Sequence, residues 1–303
     1  MYRGTPDREA RDVLDHTVVA DDGVRLHVDV DGDPDAPVTV VLCHGFTLDR
    51  TSWCYQRPAL AAAAKVVSWD QRGHGRSEGG GPGGASIDQL GRDLRAVLVR
   101  HAGHGPVVLV GHSMGGMTIM ALAEQHPEVF GHHVVGVALL ATSAGPVGPC
   151  RGLPMSPAAH RAAGLAAPLL RQACRIPGYR PVARAIARHM AFASPVPAAL
   201  VDSLVHMLEG TCTNVMADVL PHFATHDKRS ALAVLRRVTT LVMVGERDRI
   251  TPPRHSRAIA ERLAGADLVV VPDAGHALIL ERPEIVNEWL IAMLDPAQPD
   301  QAA

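Results

Sequence analysis

The sequence predicts an α/β protein, a mostly parallel, doubly wound sheet with helices on both faces and a helical cap inserted between two of its strands. Three observations predict it. Short valine-rich apolar runs alternate with helix-like stretches along most of the 303 residues; such runs suit strands covered on both faces, the habit of parallel sheets. A serine stands between glycines where one of these runs meets a helix-like stretch, at Gly111-His112-Ser113-Met114-Gly115. The alternation also breaks once. From about Gly145 to Arg237 no convincing strand is found, and helical patches are punctuated by Pro154, Pro168, Pro177, Pro181, Pro195 and Pro197.

Val24 to Val30 alternates apolar and polar residues, as an antiparallel strand with one wet face does. Val38 to Cys43 and Val66 to Trp69 are the first wholly covered strands. Ser86-Ile87-Asp88-Gln89 reads as a capping box that opens a helix to about Arg100. Val107 to Val110 is the strand before the serine turn, and Met117 to Gln125 the helix after it, ended by Pro127. Val134 to Leu140 precedes the insertion. Leu241 to Val244 and Leu268 to Val271 follow it, with Pro252-Pro253 where a helix between them begins. The domain reading is a core of residues 1–144 and 238–303 with a helical cap, residues 145–237, set into it. Pro296 to Ala303 reads as a frayed tail.

Composition narrows the function classes. Apolar residues at 47% and charged residues at 20% are the balance of an ordinary globular protein. A formal net charge of −2 gives no pull toward nucleic acid or membranes, and 3% aromatics leave little for base stacking. No signal peptide is visible in Met1 to Asp15, and no run of about 18 apolar residues could span a bilayer. Five cysteines without metal-like spacing argue against a disulfide framework, so the expected compartment is the cytoplasm. Cys43, inside a core strand, reads as a small buried hydrophobe.

The serine turn carries the chemistry. A serine on so sharp a strand-to-helix turn sits in a strained conformation, and side chains two residues before or after it would collide with the turn. A serine hydroxyl is a poor nucleophile near neutral pH and needs a base, usually a histidine oriented by a carboxylate. Gly245-Glu246-Arg247-Asp248 follows one late strand and Pro272-Asp273-Ala274-Gly275-His276 the next, which puts Asp248 and His276 in loops at the sheet edge that holds Ser113. The chain order is Ser, Asp, His, the order of one hydrolase superfamily and not of the chymotrypsin or subtilisin types.

With these motifs the sequence resembles α/β-hydrolase-fold proteins with a cap, in the branch of small esterases, cofactor-free haloperoxidases and carbon–carbon bond hydrolases. The resemblance spans roughly Val24 to Leu294. It rests on His44-Gly45-Phe46, Asp70-Gln71-Arg72-Gly73-His74-Gly75-Arg76-Ser77, the serine turn, Gly245 to Asp248, and Gly275-His276. It implies an oxyanion hole made by the backbone N–H groups of Phe46 and Met114, which leaves the Phe46 ring free to wall an acyl pocket. It implies hydrolysis of a carboxylic ester or similar acyl bond in a small-molecule substrate through an acyl-enzyme, with no cofactor and no metal. Carbon–carbon cleavage, perhydrolysis, and lactone or thioester hydrolysis would use the same residues. A ligand-binding protein on a retired hydrolase scaffold is the non-enzyme alternative.

Other residues receive plainer readings. Glu246 competes with Asp248, but the family pattern places the acid three residues after the glycine. Asp273 is too near His276 in sequence to reach across to it. His44 and His112 are expected to shape loops, and Asp70 to Ser77 to form a loop folded by glycines and tied by Asp70 and Arg72. His132-His133 and the His101, His104 pair lack a partner at ligand spacing. In the insertion, Arg180, Arg184 and Arg188 are spaced to share one helical face, as are Arg171 and Arg175, and no acid occurs between Glu128 and Asp202. Arg151 and Arg161 add to the excess. The stripe reads as a solvated helix face or as an attractor for an anionic substrate, carrier protein or lipid surface.

Overall fold

The computed structural model describes residues 16–147 and 179–294. The expectations for Met1 to Asp15, for Arg151, Arg161, Arg171 and Arg175, and for Pro296 to Ala303 lie outside the described residues, as does the first part of the insertion.

Eight strands form one sheet in the order β1-β2-β4-β3-β5-β6-β7-β8. β1 (Thr17–Val19) and β2 (Arg25–Asp31) are antiparallel, and β2 runs antiparallel to β4 (Lys65–Trp69). From there the sheet is parallel, through β3 (Thr39–Cys43), β5 (Val107–His112), β6 (Val134–Leu140), β7 (Thr239–Gly245) and β8 (Asp267–Val271). β1, only three residues long, is the strand the sequence reading lacks. The apolar run at Leu268 differs from expectation in another way. β8 is the edge strand, so its first residues are open to solvent rather than covered on both faces.

Successive side chains of a strand point to opposite faces, and the two faces bury different sets. Val41, Val67 and Leu109 pack with Leu94 and Leu98 of α2 (Ile87–His101) and Ile119 and Leu122 of α3 (Met114–Gln125). Val40, Val66 and Val108 pack on the other face with Leu60 of α1 (Gln56–Leu60), Leu278 of α9 (Leu278–Glu281) and Leu290 of α10 (Pro283–Ala292). Ser86 caps α2, its hydroxyl accepting from Gln89 N–H at 3.1 Å. The capping box is only half made, because Gln89 Oε1, the atom that would reach back to the Ser86 N–H, accepts from Arg92 instead.

Between β6 and β7 the described residues contain helices and no strand: α4 (Tyr179–Ala191), α5 (Ala198–Gly210), α6 (Thr213–Thr225) and the short α7 (Leu232–Leu235). β6 and β7 are nevertheless neighbours, with Gly136 paired to Thr239. After β7 comes α8 (Pro253–Ala260), with Pro252 as its N-cap. The α4 arginines have partners the sequence pattern did not foretell. Arg180 pairs with Glu209 at 2.8 Å and Arg184 with Asp202 at 2.5 Å, both acids lying on α5, while Arg188 donates to the Phe192 carbonyl at 3.2 Å. Among the described residues no helix is long and apolar enough to cross a membrane.

Candidate active site

Ser113 stands between β5 and α3 with φ 53° and ψ −116°, a region that non-glycine residues rarely adopt. The helix begins at Met114, earlier than the sequence pattern indicated, so Ser113 is its N-cap residue. The flanking glycines are there for space. A Cβ on Gly115 would sit 2.0 Å from the Cys43 carbonyl oxygen of β3, and one on Gly111 would sit 2.6 Å from the backbone of Gly115. Two bonds tie the turn to the end of β6 and the residues after it: Ser113 N–H donates to Leu140 O at 2.9 Å and the Thr142 hydroxyl donates to Ser113 O at 2.6 Å.

Asp248 and His276 arrive from the loops after β7 and β8. Gly245 lets those loops touch, since a Cβ there would lie 2.3 Å from the Gly275 carbonyl oxygen. His276 Nδ1–H donates to Asp248 Oδ2 at 2.8 Å, which leaves Nε2 as an acceptor 3.0 Å from Ser113 Oγ. The three residues thus form one hydrogen-bonded chain. Asp248 Oδ1 accepts from the N–H groups of Ile250 (2.8 Å) and Thr251 (2.9 Å). Burial pushes the Asp248 carboxyl up, but His276 beside it and the Thr251 bonds outweigh that, and its pKa lies below the usual carboxylate value. Glu246 is exposed and lies 3.4 Å from the Asp273 N–H; Asp273 pairs with Arg247 at 2.7 Å.

The loop after β3 is held by neutral histidines. His44 Nδ1–H donates to Gly45 O at 2.7 Å, and its Nε2 accepts from Gln71 N–H at 2.9 Å. His74 repeats the pattern, donating to Arg72 O at 2.9 Å and accepting from Thr47 N–H at 3.2 Å. Burial pulls their pKa values down to about 4 and about 3. Asp70 takes Arg50 and the Arg76 N–H, while the fully buried Arg72 forks onto Asp93. This loop carries Phe46. Neither Phe46 N–H nor Met114 N–H donates to a protein acceptor among the described residues, so both remain available to a ligand.

A cavity of about 360 Å³ opens beside Ser113 and His276. Phe46, Met117 and Phe223 form part of its wall, and Val182, Ile186 and Met190 of α4 another part. Its polar lining is Thr47, His112, Ser113, Tyr179, Thr251 and His276; no Asp, Glu, Lys or Arg faces it among the described residues.

The sequence reading missed one contributor, Thr251, while His112, expected to shape loops, does so. Thr251 lies 2.9 Å from Asp248 Oδ2 and 2.8 Å from Ala141 O through its hydroxyl, whose single proton serves one of them at a time. Its signal was a threonine three residues after the acid, just before Pro252-Pro253. His112 Nε2–H donates to the backbone carbonyl of His276 at 2.9 Å, joining the serine turn to the histidine loop. Burial, with His276 nearby, takes its pKa down to about 3.

Residues 40–289 match the alpha/beta hydrolase family. Over 266 residues the chain is 31% identical to the dihydrolipoyllysine-residue acetyltransferase component of the acetoin cleaving system of Pseudomonas putida, covering 84% of this chain but 63% of that relative's length. It is 30% identical over 269 residues to the sn-1-specific diacylglycerol lipase of Mus musculus, covering 84% of this chain and 80% of the lipase. Among solved structures, a thermophilic esterase from Thermogutta terrifontis superposes with a TM-score of 0.75 at 28% identity, over 92% of this chain and 98% of the esterase.

Proposed function

The chain belongs to the alpha/beta hydrolase family, and on that premise we propose that it is a serine hydrolase cleaving neutral carboxylic esters with apolar acyl groups. The observation that carries the reading is the hydrogen-bonded chain from Ser113 through His276 to Asp248, at 3.0 and 2.8 Å. Ser113 Oγ attacks the ester carbonyl as its proton passes to His276 Nε2. The imidazolium is held by Asp248 and returns the proton to the departing alkoxide. Water then repeats the sequence on the acyl-enzyme, with His276 as base, and releases the acid.

The Phe46 and Met114 N–H groups receive the oxyanion, as preorganised donors aimed at the charge that develops in the transition state. Residues 145–237 serve as the cap, and α4 is its contribution to the acyl wall. The lining is uncharged among the described residues, which supports a neutral substrate, because a buried carboxylate there would meet no cation from them. Thioesters, lactones and carbon–carbon bonds would engage the same residues, and a substrate panel ranks them.

The test is a panel of acyl substrates combined with a serine-reactive phosphonate. Wild type should hydrolyse apolar esters and be labelled at Ser113, and Ser113→Ala should lose both activities while keeping its fold. Turnover near wild type in Ser113→Ala would remove the nucleophile assignment.

A further inference from the structure

Glu281 ends α9 and is buried, 6% exposed. No arginine or lysine side chain pairs with its carboxylate among the described residues. Its two oxygens are instead filled by three backbone N–H groups from two separate segments. Oε2 accepts from Gly275 at 2.6 Å; Oε1 accepts from Ala193 at 2.9 Å and from Ser194 at 2.5 Å. A buried carboxylate without a cation costs free energy in desolvation, and these bonds do not lengthen a helix or a strand. They join two places in the chain that matter to the site.

Gly275 directly precedes His276. Ala193 and Ser194 directly follow α4, whose Val182, Ile186 and Met190 wall the cavity. Further contacts join the same two segments. Ala277 N–H donates to Ala191 O at 2.8 Å, and the Ser194 hydroxyl donates to Asp273 O at 2.5 Å. Arg282 Nη2 reaches Ser194 Oγ at 2.8 Å and Asp273 O at 3.0 Å. A Cβ on Gly275 would lie 2.6 Å from Ala191 O, so the segments are in backbone contact. The C-terminal end of α4 therefore cannot shift without moving the backbone that carries His276.

We propose that Glu281 is a positioning residue that ties the seat of His276 to the C-terminal end of α4, so that an acyl chain filling the cavity against α4 sets the base for reaction. The proposal rests on His276 being the base. It makes acyl length a determinant of kcat and not only of KM, since the wall that feels the chain is tied to the backbone that carries the imidazole. Glu281→Gln cuts the tie: the amide oxygen can serve one segment, but the amide N–H₂ then faces the N–H of the other.

The experiment is a series of linear acyl esters sharing one leaving group, with active sites titrated by phosphonate. In wild type kcat should climb with chain length until the cavity is full. In Glu281→Gln it should drop about 10²-fold for the longest good substrate, the scale of a small misplacement of a catalytic group. It should fall much less for the acetate, leaving a flat series, with the ranking of KM preserved. Arg282→Gln, a milder cut of the same tie, should flatten the series partly and carries the test if Glu281→Gln does not fold. Parallel kcat losses at every chain length, or no loss, would overturn the proposal while leaving the ester reading intact. A wild type that turns over no ester would sink both.

Discussion

Acidification should unfold this protein well above the range where carboxylates titrate, and the reason is four buried imidazoles. His44, His74, His112 and His226 are each at most 4% exposed. Burial pulls their pKa values down to about 4, 3, 3 and 4 respectively. The hydrogen bonds agree, because His44 and His74 each use Nε2 to accept a backbone N–H that a second ring proton would confront. In the unfolded chain a histidine takes up its proton near about pH 6.5. Between that pH and about 4 the unfolded state binds more protons than the folded one, so stability falls as pH falls. Each imidazole contributes about 1.4 kcal/mol per pH unit once the window is entered, and the four together about 5. From about pH 6.5 to 5 the integrated loss is about 6 kcal/mol, comparable to the whole stability of many domains.

The partly buried His133 and His255, also lowered by burial, act in the same direction. Asp70 and Asp93, whose carboxyls burial pushes up, oppose the loss toward the acid end. The assay is the urea midpoint measured at intervals from about pH 7.5 to 5. The control is His226→Gln, which keeps a donor for the Ser143 carbonyl that His226 Nε2 contacts at 3.0 Å. It should remove about a quarter of the pH slope. A midpoint that held steady down to about pH 5, or a slope unaltered in His226→Gln, would refute the reasoning.

Asp248→Asn should slow turnover by about 10⁴, by favouring the wrong imidazole tautomer, whereas Glu246→Gln should change kcat little because that side chain is exposed and away from His276; reversed effects would move the acid to Glu246. Gly115→Ala forces a Cβ to within 2.0 Å of the Cys43 carbonyl oxygen, so thermal melts should show a destabilisation at or beyond the upper end of about 1–3 kcal/mol; an unchanged melting temperature would mean the turn has slack the distances deny. Changing Arg180, Arg184 and Arg188 together to Gln should leave the salt dependence of kcat/KM unaltered for a negatively charged ester. Two of the three are already met by acids on α5, and a lost salt response in the triple variant would restore the electrostatic role.

What was legible in the sequence follows from how local each cause is. The parallel strands could be read because burial on both faces leaves an unbroken valine signature, as in Val107 to Val110. β1 could not, because three residues are too few to carry a period, even though its partner Arg25–His27 follows across a short turn. The serine turn announced itself since its glycines are demanded by contacts within a few residues, together with one strand beside it. Thr251 and Glu281 were silent for the opposite reason: their work is done on atoms brought near only by the sheet. The partners of the arginine stripe were hidden in a similar way, because Asp202 and Glu209 come from the next helix along.

The pairing of Gly136 with Thr239 has a consequence for how the molecule is born. Strands β1 to β6 lie in the first half of the chain and, apart from the edge of β6 that takes β7, pair only among themselves, so they can assemble as it leaves the ribosome. β7 must find β6 across roughly 100 intervening residues, a closure that costs about 4 kcal/mol of chain entropy. The Ser113 turn is therefore built early and Asp248 and His276 are docked late, so a nascent chain carries a formed serine turn long before the hydrogen-bond partner of its hydroxyl arrives. Until then the open edge of β6 is exposed, and that interval is when the chain is most prone to pair with the wrong strand.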